Sequence, residues 1–153
     1  MIDWVKEKPE EIWESQNLTK VDNLGFETNL SLLPRELGNE RFFIRKIELG
    51  YAFIHQDKDS EGYISNYALD YLKHKFTAQL SHSIWKGFSA TWYVRWQDRA
   101  GSYTKYENLK PAYEEPYAPY CLVDMKVNWE YQRLNLYAEL NNLLNSTYYD
   151  LGN

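Results

Sequence analysis

A period of two in the apolar residues, held over six separate stretches, constrains this chain more than any other feature. In "VDNLGFETNLSLLP", Leu24, Phe26, Leu30 and Leu32 alternate with Asn23, Gly25, Glu27, Asn29 and Ser31. In "FIRKIELGYAFIH", Ile47, Leu49, Tyr51 and Phe53 face away from Lys46, Glu48, Gly50 and Ala52. In "LDYLKHKFTAQLSHSIW", Leu72, Phe76, Ala78 and Leu80 oppose Lys73, Lys75, Thr77, Gln79 and Ser81. "FSATWYVRWQD", "CLVDMKVNWEY" and "LNLYAELNN" repeat the pattern with Ala90, Trp92, Val94 and Trp96, then Val123, Met125 and Val127, then Leu134, Leu136 and Leu140. A helix would mix the two sets in every stretch, so the pattern predicts six strands of roughly 10 to 14 residues and no helix.

The links between the strands alternate in length. "PRELGNE", "KG" and "YQR" are short turns, whereas "HQDKDSEGYISNY" and "DRAGSYTKYENLKPAYEEPYAP" are long and polar, and "VKEKPEEIWESQNLTK" precedes the first strand. Strict alternation places every short turn at one edge of an antiparallel, up-and-down meander and every long link at the other. A soluble sandwich has no need of that asymmetry, whereas a transmembrane β-barrel has it by construction. Globular strands cluster near 5 to 6 residues and membrane strands need about 9 to 11. The reading of fold class is therefore all-β: a partial transmembrane β-barrel of about six long strands.

Face chemistry agrees. One face carries Glu27, Lys46, Glu48, Lys73, Lys75, Arg95, Asp124, Lys126, Glu130 and Glu139, a set suited to a water-filled lumen and not to a closed core. Aromatics make up 17% of the 153 residues, and Trp85, Phe88, Trp129 and Tyr131 flank the short turns, as interfacial girdles do. No stretch approaches the ~18 apolar residues of a membrane-spanning helix, and the N-terminus has no apolar signal segment. A net charge of −5 without basic blocks argues against nucleic acid as a partner. The rival from another class is a soluble carbohydrate-binding β-sandwich, its Trp and Tyr forming a sugar platform.

Taken in order, three segments resemble the C-terminal part of the barrel of TonB-dependent outer-membrane receptors. They are "IDWVKEKPEEIWESQNLTKVDNLGFETNLS", "YALDYLKHKFTAQLSHSIWKGFSATWYVRWQDR" and "YCLVDMKVNWEYQRLNLYAELNNLLNSTYYDLGN", the last with Asn142, Leu143, Tyr148 and Asp150 where the family has them. The pattern is closest to cobalamin receptors, and siderophore receptors share most of it. The resemblance implies that residues 1–153 are one segment of a longer barrel whose plug domain and final strand lie outside the chain. It implies active transport of a scarce bulky nutrient, cobalamin or a ferric siderophore. The partners it implies are outer-membrane lipid, the receptor's own plug, TonB and the nutrient.

Candidate sites are few. His74 and His82 lie eight residues apart on one strand, about 27 Å, and His55 opens a long link, so the spacing argues against a histidine metal site. Asp57, Asp59, Glu61 and Gly62 match the first half of a calcium loop, but Ala68 stands where the closing carboxylate belongs. Neighbouring carboxylates such as Glu114 and Glu115 do not make the facing pair that glycoside hydrolysis needs, and no nucleophile, phosphate-loop or zinc motif occurs. The expectation is no enzyme, no catalytic residue and no cofactor. Cys121, the one cysteine, is expected to be a packed thiol. Sequons at Asn17, Asn29 and Asn145 are read as chance. The Tyr- and Glu-rich link "YTKYENLKPAYEEPYAPY" is the best candidate for touching a substrate, with no ligand-binding residue assigned.

Overall fold

The computed structural model describes residues 2–8, 11–17, 21–38, 42–58, 64–65 and 71–149. The strands among them are β1 (Ile2–Lys6), β2 (Glu14–Asn17), β3 (Val21–Leu32), β4 (Ile44–Lys58), β5 (Ile64–Ser65), β6 (Leu72–Trp85), β7 (Phe88–Arg99), β8 (Ser102–Glu107), β9 (Lys110–Pro116), β10 (Tyr120–Tyr131) and β11 (Leu134–Leu140), with no helix. The six strands expected from periodicity are β3, β4, β6, β7, β10 and β11. They form one antiparallel sheet in the order β11-β10-β7-β6-β4-β3, so each long strand pairs with the next along the chain. The sheet is open, with β3 and β11 as its edges.

Three expectations need correction. The long links are not plain loops: β8 and β9 form a hairpin within one, and β1, β2 and β5 form a small sheet from two others. These strands escaped notice because most are short and none has a sustained apolar alternation. The first short link is longer than "PRELGNE", since β3 ends at Leu32 and β4 begins at Ile44. The last strand is only 7 residues, ending at Leu140 and pairing with just the Met125–Tyr131 half of β10. Beyond it Asn142 adopts a left-handed conformation (φ 52°), and its side chain closes a turn by accepting from Ser146 N (2.9 Å) and donating to Ser146 O (3.0 Å). This turn takes over the free half of β10 through Leu143 N–H to Val123 O and Ser146 Oγ–H to Cys121 O.

Register carries the two faces across the whole sheet, because directly opposed residues point to the same side. Leu30, Leu49, Ala78, Val94 and Val123 form one unbroken aliphatic row over five strands. The next row toward the short turns is Leu32, Ile47, Leu80, Trp92, Met125 and Leu140. On the other side Ser31, Glu48, Gln79, Tyr93 and Asp124 form a polar row, with Asn29, Gly50, Thr77, Arg95 and Leu122 beside it.

Exposure runs opposite to that of a soluble sheet. Leu24, Phe26, Leu30 and Leu136 are 72%, 56%, 51% and 57% exposed, whereas on β6 the polar Thr77, Gln79 and Ser81 are less exposed than their apolar neighbours Phe76 and Leu80. Among the described residues only Val5, Ala90 and Leu122 are fully buried apolar groups. A compact chain of this mass exposes about 8,100 Å², against 11236 Å² here. Among the described residues the long sheet has almost no buried apolar core, and many large side chains of its apolar face are exposed.

Candidate functional site

A groove of about 590 Å³ lies on the polar face and touches β3, β4, β6, β7 and β10. Five neighbouring strands span about 19 Å, and one groove touches all of them, so the polar face is concave along it. We call the grooved side concave and the apolar side convex. The groove wall is the pair of polar rows: Asn29, Glu48, Thr77, Gln79, Tyr93, Arg95 and Asp124. Gly50 is its floor. A Cβ there would stand 2.6 Å from Thr77 Oγ1 and 2.7 Å from Asn29 Oδ1, so glycine is what lets these side chains close over the strand.

The groove's polar groups are partly committed to the scaffold. Glu48 is paired with Lys46 (2.8 Å), and Asp124 accepts the backbone N–H of Asn142 (2.7 Å), tying the groove to the turn after β11. Ser81 and Thr91 share a hydrogen bond (3.1 Å), and Gln97, 8% exposed, accepts from the Tyr120 hydroxyl. The wall thus offers amide, hydroxyl and guanidinium groups at fixed positions. It suits a hydrogen-bonding polar occupant and contains no nucleophile held by a base.

The convex face has an ordered aromatic pattern. At the short-turn end Phe88 stacks on Trp129 (5.8 Å) and Trp129 on Tyr131 (5.9 Å), with Trp85 exposed beside them. Toward the long links Phe26, Tyr51, Phe53, His74 and Trp96 form a second chain of ring contacts. Two pairs of polar ring atoms within this face meet: Tyr51 Oη lies 2.8 Å from His74 Nδ1, and Trp92 Nε1–H donates to His82 Nε2 (3.1 Å). An indole only donates, so this bond requires His82 to be the neutral tautomer with its proton on Nδ1.

At the long-link end the β8–β9 hairpin turns at Asn108 and Leu109, both with positive φ (50° and 64°), as two-residue hairpin turns require. Adjacent Glu114 and Glu115 point to opposite sides of β9. Glu114 accepts from Thr104 (2.7 Å) and from the buried Lys6 ammonium of β1 (3.4 Å), which also lies over the Trp13 ring. Glu115 accepts from Lys105 (2.7 Å) and Tyr103 (3.1 Å). Those two bonds hold its carboxyl below the usual carboxylate value, and the bond to Glu115 raises Lys105. Desolvation, then Glu115, raises the Tyr103 phenol. Tyr103 also stacks on Tyr149 (4.5 Å), and Tyr120 on Tyr148 (4.6 Å). The Tyr- and Glu-rich link is thus a hydrogen-bonded hairpin tied to β1 and to the chain's last described residues.

Of the other sequence candidates, Asp57 ends up exposed near the end of β4, while Asp59, Glu61, Gly62, Ala68 and Asp150 lie outside the described residues. Among the described residues no three His, Cys, Asp or Glu side chains gather as metal ligands. His74 and His82 engage separate aromatic partners, and Asn29 stands in the groove wall. Cys121 is half-buried, opposite Trp96. Sequence reasoning placed Glu48, Arg95 and Asp124 on one face but missed Gly50 and Tyr93 as parts of a single groove; only the strand register brings them together. No family model, curated protein or solved structure matches the chain.

Proposed function

We propose that this chain is a wall segment of a transmembrane β-barrel, part of a TonB-dependent outer-membrane receptor that imports cobalamin or a ferric siderophore. The observation that carries the membrane reading is the inversion of the faces: the groove lies on the polar face, and the apolar face is left outward and exposed. A soluble small barrel or a carbohydrate-binding sandwich curls or packs the other way, burying the apolar side chains. Spacing of the aromatic bands supports the same reading. From Phe88 to Trp96 is eight residues on β7, about 27 Å along the strand, or about 21 Å along a membrane normal for a strand tilted by about 40°. That is close to the ~25 Å apolar band of outer-membrane barrels.

In this reading the convex rows meet acyl chains and the groove forms part of the lumen wall against an internal plug domain. The linked β1–β2–β5 sheet and β8–β9 hairpin stand on the outer side, where nutrient arrives. The chain has no catalytic role. Receptor class and nutrient rest on the sequence resemblance, whereas the membrane reading rests on the geometry.

The test is to refold the chain with vesicles of lipids brominated along their acyl chains. Trp92 and Trp96 on the convex face should be quenched as efficiently as a membrane-embedded indole. Unquenched fluorescence from folded protein would remove the membrane reading and favour the soluble sandwich, which predicts quenching by oligosaccharide instead. Detection of the native product in an outer-membrane fraction, at a mass several times that of this chain, tests the receptor assignment.

A further inference from the structure

At the short-turn end of the concave face two arginines meet on one hydroxyl. Arg35, from the turn after β3, donates through Nη2 to Ser83 Oγ (2.8 Å) and through Nε to Phe42 O (2.9 Å). Arg45 donates through Nε to the same Ser83 Oγ (2.9 Å). Arg45 reaches it because the pairing of β4 with β6 slips between Ile44 and Lys46, leaving Arg45 as the extra residue of a bulge. Ser83 opposes Ser89 in the polar register that continues from Ser81 and Thr91, so the cluster shares the groove's face.

Two nitrogens bound to one oxygen lie within about 6 Å of each other, a spacing at which like charges repel. Among the described residues no carboxylate lies within 4 Å of either guanidinium. Ser83 Oγ already accepts two bonds, so its own hydrogen points elsewhere. The remaining guanidinium N–H groups and the Ser83 O–H make a cup of donors around two positive charges that no described carboxylate pairs, which suits an oxyanion bound by charge-assisted hydrogen bonds.

We propose that Arg35, Arg45 and Ser83 form a docking cup for a carboxylate side chain of a polypeptide segment laid along the concave face. This rests on the reading that an internal domain occupies that face. A lipid phosphate is the wrong occupant, because its acyl chains would have to lie on the polar side. Ser83 is four residues, about 14 Å, from Gln79 in the groove wall, and the floor between them is lined by small side chains such as Ser81 and Thr91. An extended segment can therefore hydrogen-bond in the groove and end with an acidic residue in the cup.

The experiment is a titration of the folded full chain, followed by the arginine side-chain Nε–Hε signals in NMR spectra. The probes are the peptide acetyl-Gly-Ser-Glu-Ser-Gly-amide, its Gln counterpart and inorganic phosphate. The expected result is a saturable shift of the Arg35 and Arg45 signals, at least fivefold larger with the Glu than with the Gln peptide. Arg45→Gln and Arg35→Gln should each abolish it, and Arg45→Lys, which keeps the charge but not the fork, should retain part. Equal responses to both peptides, or none, overturn the cup. Phosphate binding tenfold more tightly than the Glu peptide overturns the polypeptide assignment and leaves a free-oxyanion site. Vesicle insertion measured on the same samples separates the two readings: insertion without Glu-peptide binding sinks the cup alone, and binding without insertion sinks the membrane reading alone.

Discussion

Leu30, Leu49, Ala78, Val94 and Val123 make a row on the convex face; one residue further along each strand, Ser31, Gly50, Gln79, Arg95 and Asp124 belong to the concave groove. The two sets share one backbone and one ladder of hydrogen bonds, yet they present opposite solvent requirements. On the convex side, polar atoms are few and some pair within the face, as in the Trp92–His82 and Tyr51–His74 bonds. On the concave side, several side chains are paired within the wall, and amide, hydroxyl and guanidinium groups beside them face the groove. The contrast is one of solvent: an exposed apolar side backs a grooved polar one. An apolar surrounding suits the first and hydrogen-bonding partners suit the second.

The largest expected effect comes from placing one charge on either side. Val94→Arg puts a guanidinium in the middle of the aliphatic row and should cost about 2–4 kcal/mol of stability in bilayers, whereas Thr91→Arg on the concave side should cost under about 1 kcal/mol. Urea titration of vesicle-inserted protein measures both, and equal losses would break the contrast between the faces.

Added volume sharpens the contrast next. Gly50→Val pushes methyl groups into Thr77 and Asn29 on the groove floor and should destabilise by about 1–2 kcal/mol. Ala78→Val, one strand away on the convex side, adds apolar surface facing outward and should change stability by less than about 0.5 kcal/mol. Similar losses at both positions in the same titration would mean that the convex side is as tightly packed as the floor.

A smaller effect tests the polar atoms embedded in the convex side. Trp92→Phe leaves His82 Nε2 without its donor and should cost about 1 kcal/mol beyond the packing change. Replacing both partners, with Trp92→Phe and His82→Leu together, should recover most of that loss, and a double-mutant cycle reads the difference. Additive losses would mean that water reaches this ring.

The smallest effect lies outside both faces, in the β8–β9 hairpin. Its Glu115 carboxyl is held below its ordinary value of 4.5, so its contribution is present above that pH and lost as pH falls through the lowered value. The raised Lys105 contributes below its ordinary value of 10.5 and loses that contribution as pH rises through its raised one. The Tyr103–Tyr149 contact, followed by tyrosine signals in NMR spectra, should hold steady from about pH 5 to 10 and loosen in acid. In Glu115→Gln the acid transition should vanish while the long sheet is unchanged. Loss of sheet structure along with it would mean that the hairpin holds the sheet together.

The existence of six strands, their meander order and the membership of each face were legible in the sequence, though not the early end of the last strand. A period of two is a local property, since neighbouring side chains must leave a strand on opposite sides whatever surrounds it. Aromatics beside "KG" and "YQR" were legible for the same reason, because chain neighbours of a tight turn stay near it.

What the sequence left open was which side of the sheet carries the groove. Curvature is a sum over strand twists, bulges and residues such as Gly50, and it has no signature in any single stretch. The groove was illegible because its residues come from five strands, separated in sequence by 14 to 31 positions from one strand to the next and aligned only by register. Tertiary structure likewise placed Arg35 against Arg45 through a one-residue slip, and drew Asn142 onto Asp124 to end the last strand early. A bulge and a side-chain-closed turn each depend on partners far along the chain, and distance along the chain is what periodicity cannot read.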